Sequence, residues 1–232
     1  MRVAIVENMD MTHHGQVGVA LAEVGAKVDV VRAFAGEPLP EAVDGHDALV
    51  VFGGEQNARD DDRHPYLPQL AALMRAFGDA DKAVLGICLG SQILARGYGA
   101  ENLIGQAPEF GWQVIGVTEE GAGDPVLSAV EDGFLSFQWH DDTFTLPNGA
   151  VRLAKNATAA NQAFRVGRAA YGTQFHFEAH RGVIEQWNRQ FAAHAERKHP
   201  GWQAKHPELA AVHGPLADAA GLAIARAWVR QI

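Results

Sequence analysis

The chain has one cysteine, Cys88, and it lies in the stretch KAVLGICLGSQ from Lys82 to Gln92, with Gly86 two residues before it and Gly90 two after. An apolar run of strand character ends there and a helix pattern begins, which is the spacing of a strand-to-helix elbow that presents a nucleophile. Such a turn strains the nucleophile's backbone, and flanking glycines remove the collision between strand and helix. It would set the sulfur at a helix amino terminus, where the dipole and unpaired N–H groups favour thiolate over thiol. Taken alone, the same spacing also fits an inert cysteine buried at a strand end beside turn glycines.

A thiol nucleophile needs a base, and the base needs an acceptor to orient it. YGTQFHFEAH offers both, because His176 and Glu178 stand two apart in a strand pattern and would share one side of that strand. A buried glutamate is costly without a partner, which favours the pairing. With His176 as base, activity should fall in acid as the imidazole takes up a proton. For an oxyanion, Gly53 and Gly54 close the run DALVVFGG, and the N–H of Leu89 directly follows the nucleophile. His140, in FQWHDDTF, sits at a strand end from which it could line the site. His13 and His14 read as loop residues, and DDDRH from Asp60 to His64 reads as a solvated loop and helix start rather than a metal site.

The elements that must position these groups alternate. RVAIVE, KVDVVRAF, DALVVFGG and KAVLGIC are short apolar runs separated by helix-period segments at 15–25 and 65–77. Continuous apolar strands are covered on both faces, so the first half is predicted to be βαβαβ, doubly wound, with ligands bound at the carboxyl edge of a parallel sheet. Beyond the helix at Leu89, the closely spaced candidates WQVIGVT, FLSFQW, VRLAKNA, QAFRVG and AAYGTQFHF suit hairpins or a mixed extension of that sheet. GVIEQWNRQFAAHAERK predicts a helix with Trp187 and Phe191 at i, i+4 spacing, and ADAAGLAIARAWVRQI predicts a closing helix. Between them, His199 to Pro215 reads as a surface connection. No linker divides the halves, so residues 1–232 are expected to form a single domain.

Composition narrows the partners. A formal charge of −9 offers no footprint for nucleic acid or an anionic membrane surface. One cysteine excludes an internal disulfide and a multi-thiolate metal site. No apolar run reaches membrane-spanning length, and MRVAIVENMD lacks the apolar core of a signal peptide. A soluble cytoplasmic protein acting on small molecules or proteins is the expectation.

RVAIVEN, VVFGG, GICLGSQ and QFHFE, in that order, resemble the class I, or triad, glutamine amidotransferases, and among them stand-alone members related to the glutaminase domain of GMP synthetase. The resemblance implies an α/β fold, a flavodoxin-like three-layer sandwich with a mostly parallel central sheet and a mixed or antiparallel extension. It implies that Cys88 attacks the side-chain amide of glutamine, that His176 acts as base and then acid, that Glu178 orients His176, and that Gly54 and Leu89 supply the oxyanion donors. Gly53 and Gln92 would border the bound glutamine, and Gln138, Trp139 and His140 match loosely the region that holds its α-amino and α-carboxyl groups. No cofactor and no metal is implied, since water resolves the γ-glutamyl thioester. Two positions depart from the family pattern: Phe177 and Glu55 stand where relatives commonly have proline, and both are expected to alter walls near the site.

Three functions remain open. The chain could hydrolyse glutamine for a separate synthetase or other acceptor partner, or hydrolyse γ-glutamyl peptides or amines by itself. It could also be a non-catalytic binding or regulatory protein on the same scaffold. The intact set of Cys88, His176 and Glu178 argues against the last.

Overall fold

The computed structural model describes residues 1–232. Its first half builds four parallel strands, β1 (Arg2–Glu7), β2 (Lys27–Arg32), β3 (Ala48–Val51) and β4 (Ala83–Ile87), connected through helices α1 (Gly15–Glu23) and α2 (Leu67–Asp79); helix α3 (Leu89–Gly97) follows β4. The period-two geometry of a strand sorts their side chains onto opposite faces. Val3, Ile5, Val50, Leu85 and Ile87 pack into one apolar layer with Val17 and Leu21 of α1. Ala4, Val6, Leu49, Val51 and Val84 pack into the other, with Met74 and Phe77 of α2 and Ile93 and Leu94 of α3. Because both faces are covered, the sequence shows unbroken apolar runs instead of alternation.

The second half contains β5 (Asn102–Leu103), β6 (Glu109–Val117), α4 (Glu119–Ala122), β7 (Phe134–His140), β8 (Thr143–Phe144), β9 (Val151–Lys155), β10 (Ala163–Val166) and β11 (Ala170–Thr173). Three helices end the chain: α5 (Arg181–Gln190), α6 (Ala192–Lys198) and α7 (Trp202–Val229). The sheet has nine strands in the order β2-β1-β3-β4-β11-β10-β9-β6-β7. β11 pairs parallel with β4, and from β10 onward each pairing is antiparallel. Trp228 of α7 is fully buried in the first layer and its indole N–H reaches Val84 O at 3.3 Å, so the last helix closes the face that α1 opens. A third cluster joins Phe110, Trp112 and Phe137 of β6 and β7 to Trp187 of α5 and Trp202 of α7. No helix is long and apolar enough to cross a membrane.

Three local expectations are corrected. His199–Pro215 is not a surface connection, since α7 starts at Trp202 and runs through Pro207 and Pro215. An interior proline costs a helix about 3 kcal/mol. Here Trp202 and His206 are buried, Trp202 against Phe110 at 4.6 Å between ring centroids, and this aromatic packing offsets that cost. The helix predicted over 182–198 is broken at Phe191, whose φ of −107° separates α5 from α6. The strand predicted through Phe177 stops at Thr173, so His176 and Glu178 lie beyond it. DDDRH does form a loop before a helix: Asp61 accepts two hydrogen bonds from the Arg96 guanidinium, at 2.6 and 2.7 Å, and Asp60 lies 3.6 Å from Arg63.

Candidate active site

Three neighbouring strands bring the site together. β3, β4 and β11 are parallel and end in step, with Val51 opposite Gly86 and Ile87 opposite Thr173. The segments that follow them must therefore emerge at one edge: Phe52 to Gly54, the elbow at Cys88, and the turn that holds His176. The loop after β1 joins them there.

Cys88 caps α3 with φ 53° and ψ −110°, a region that side-chain-bearing residues rarely enter. Its N–H donates to Thr173 O at 2.8 Å, tying the elbow to β11. The flanking glycines are required by contact: a Cβ on Gly86 would sit 2.4 Å from Gly90 O, and one on Gly90 would sit 2.0 Å from Val51 O. The N–H groups of Gly54 and Leu89 make no hydrogen bond within the protein. They belong to the two segments that flank the sulfur.

His176 and Glu178 are coupled, though not by strand alternation. The chain leaves the sheet after Thr173, makes a single bridge from His176 N to Phe137 O (2.8 Å) and then turns. Within the turn His176 Nδ1 lies 2.7 Å from Glu178 Oε1, with both residues buried. The backbone is fixed from outside: Gln16 N donates to Glu178 O at 2.8 Å, and a Cβ on Gly221 of α7 would lie 2.1 Å from Phe177 O. Gly53 marks where the residues meet, since a Cβ there would be 3.3 Å from His176 Cε1 and 3.5 Å from Cys88 Cβ.

Burial pulls the imidazolium of His176 down, but the charges of Glu178 and Cys88 and a hydrogen bond to each push it up, and the balance lies upward, at about 10. The upward direction moves the titration of this ring to the alkaline side of an ordinary histidine.

Cys88, His176, Glu178, Gly53, Gly54, Leu89, Gln92, Trp139 and His140 all line one cavity of about 520 Å³. Gln138 does not. Its side chain is fully buried and its amide donates to Gln162 Oε1 at 2.9 Å and Glu109 Oε2 at 3.4 Å. His140 is occupied on both ring nitrogens, by Asp142 O at 2.9 Å and Glu109 Oε2 at 3.1 Å. The amide of Gln92 contacts Gln174 Oε1 at 3.2 Å and Asp142 O at 3.4 Å. Gln92 and His140 thus brace the turn at Asp142, while Trp139 places its carbonyl 3.9 Å from the Cys88 sulfur. Glu109, which sequence reasoning missed, is the hub of this brace and also accepts from Gln162 and Asn156. Nothing marks Glu109 in the sequence, because its partners come from β6, β7 and the loops around β9 and β10. The i, i+4 aromatic pair Trp187 and Phe191 is visible in the sequence as a helix face, and it too lines the cavity, with His194 and Lys198. His13 lies in the loop before α1, as expected, and that loop brings it into the lining.

Residues 6–193 match the family Glutamine amidotransferase class-I. The chain belongs to the class-I glutamine amidotransferase family. Within that family it is 33% identical over 175 residues to the glutamine amidotransferase-like protein YfeJ of Salmonella typhimurium, covering 72% of this chain and 73% of that one. It is 28% identical over 180 residues to one subunit of the glutamine-hydrolyzing GMP synthase of Thermoplasma volcanium, covering 77% and 83%. Among solved structures, a glutamine amidotransferase of Thermotoga maritima superposes with a TM-score of 0.86 at 25% identity over 98% of both chains. One of Methylobacillus flagellatus gives 0.86 at 26% identity over 100% and 95%. The two departures from the amidotransferase pattern fall in different places. Glu55 is exposed on the cavity lining, whereas Phe177 is buried in the core beside Phe175, 6.3 Å between ring centroids, and does not line the cavity.

Proposed function

We propose that the chain is a cytoplasmic, cysteine-dependent hydrolase of γ-glutamyl amides, with glutamine as the reference substrate. The observation that carries this reading is the strained elbow of Cys88 on one cavity with the His176–Glu178 pair. The Cys88 thiolate attacks the γ-carbonyl carbon, and the oxyanion that forms accepts hydrogen bonds from the N–H groups of Gly54 and Leu89. The C–N bond breaks as the His176 imidazolium gives its proton to the departing nitrogen, leaving a γ-glutamyl thioester and a neutral ring. That ring then takes a proton from water, hydroxide attacks the thioester carbon, the C–S bond breaks and glutamate leaves. Glu178 acts as a positioning residue on Nδ1 throughout. Its second carboxylate oxygen has no partner in the protein, so its hold on the chain runs through His176.

Relatives named as one subunit of a glutamine-hydrolyzing GMP synthase support ammonia delivery to a separate synthetase. The cavity falls within the ~300–1,000 Å³ range of pockets for drug-sized ligands. The reading is tested with purified protein by glutamine-dependent ammonia release and by labelling with diazo-oxo-norleucine. One adduct at Cys88, and loss of turnover by at least ~10³-fold in Cys88→Ala with the thermal midpoint retained, is the expected result. Full activity in Cys88→Ala, or labelling elsewhere, overturns it.

A further inference from the structure

The part of the cavity next to His176 is aromatic. Trp187 meets the His176 ring edge to face, 5.1 Å between centroids, and Trp139 stands between Trp187 (6.2 Å) and Phe191 (5.7 Å) at steep angles to both. Trp187, Phe191, His194 and Lys198 follow one another at helical spacing along α5 and α6, and all four face the cavity. Lys198 supplies no free cation, because its ammonium is paired with Asp141. The surface that starts at His176 is therefore aromatic along Trp187 and Phe191 before it reaches His194 and a neutralised ion pair.

Chemistry decides which half of a substrate lies there. His176 is the group that protonates the departing nitrogen, so whatever that nitrogen carries extends from the ring along its neighbours. The glutamyl half is joined to the carbon attacked by Cys88 and lies on the other side of the scissile bond. Ammonia carries nothing and leaves this wall unused.

We propose that the preferred substrates are γ-glutamyl amides whose departing amine bears a flat apolar group, seated against Trp187 and Phe191. The proposal rests on the reading of Cys88 as the nucleophile that forms a γ-glutamyl thioester. The step balances with water as the only co-reactant: the S–C bond forms, the C–N bond breaks with its electron pair on the amine nitrogen, and the proton comes from His176. Aromatic rings gain from edge-to-face and stacked contacts beyond their burial, and an uncharged wall discriminates against amino-acid leaving groups with a free carboxylate.

The test compares γ-glutamyl-phenethylamide with γ-glutamyl-methylamide, whose leaving amines have similar basicity, in the whole protein. kcat/KM for the phenethylamide is expected to exceed that for the methylamide by about tenfold or more, and Phe191→Ala to cut that ratio by about tenfold. Phe191→Leu, which keeps an apolar side chain and guards against a folding artefact, should cut it less. Equal or better turnover of the methylamide, or a ratio unchanged in Phe191→Ala, overturns the aromatic subsite. If both amides and glutamine are hydrolysed equally, the subsite falls and the hydrolase reading stands. If none is hydrolysed and no acyl adduct forms at Cys88, both fall.

Discussion

The parallel half and the antiparallel extension contribute to the same cavity by different physical means. In the parallel half, β3, β4 and β11 end in register, and close backbone contacts fix the elbow: Gly86 against Gly90, and Gly90 against Val51. In the extension, β6 and β7 hold the far wall through side chains, a buried carboxylate at Glu109 with four donors and a cluster of aromatic rings. A backbone-packed region tolerates no added atom at its contacts, whereas a region held by side chains can be retuned one group at a time. The proposed nucleophile sits in the first kind and the proposed recognition surface in the second.

The largest effect should come from testing the backbone side of this contrast. In Gly90→Ala the new Cβ meets Val51 O at 2.0 Å, backbone against backbone, so stability should fall by about 3 kcal/mol or more in urea unfolding, with activity lost along with the elbow. A mild loss in both readouts would break the contrast. Glu109→Ala should cost about 3 kcal/mol, because the donors of His140, Gln138, Gln162 and Asn156 lose their common acceptor. Its effect on kcat should remain smaller than that of Gly90→Ala, and steady-state kinetics on the folded fraction checks this.

Glu178→Gln removes only the charge beside His176. A fall in kcat of about 10²-fold is expected, with KM little changed and the urea midpoint lowered at neutral pH, because the charge that raises His176 is gone. The pH dependence follows from the same pair. The His176 value is raised in the folded protein from 6.5 to about 10, so its contribution to stability is complete below about pH 6.5 and lost as pH rises through about 10. The acylation step loses its proton donor over the same alkaline range. kcat/KM should therefore decline toward pH 10, and in Glu178→Gln the decline should begin at lower pH. A profile that is flat to beyond pH 10 in the native protein would contradict the raised value.

The unequal legibility of the two halves has the same origin. Strand-length apolar runs and the glycine spacing around Cys88 reflect local geometry, so β1 to β4, the elbow and the Gly53–Gly54 loop can be read from adjacent residues. His176 and Glu178 are legible for a partly mistaken reason: the pairing is present, but it is made in a turn past the end of β11. Periodicity does not reveal that Phe191 breaks a helix, nor that α7 continues through two prolines, because packing of Trp202 and His206 outweighs local preference there. Gln138 and His140 read as ligand contacts because the FQWHDD segment loosely matches the region that holds glutamine in the resembled family. Only the positions of Glu109, Gln162 and Asp142 show that their polar atoms are already engaged.

The backbone of the Phe177–Glu178 turn is gripped by Gln16 near one terminus and approached by Gly221 near the other, and the Gln16 amide itself reaches Asp218 O at 3.0 Å. A ribosome therefore releases the sulfur, the ring and the carboxylate well before the last helix that clamps them. Until that helix docks, the turn that holds His176 and Glu178 lacks one of its two anchors, so on the proposed reading competence to cleave amides would arrive only with completed tertiary structure.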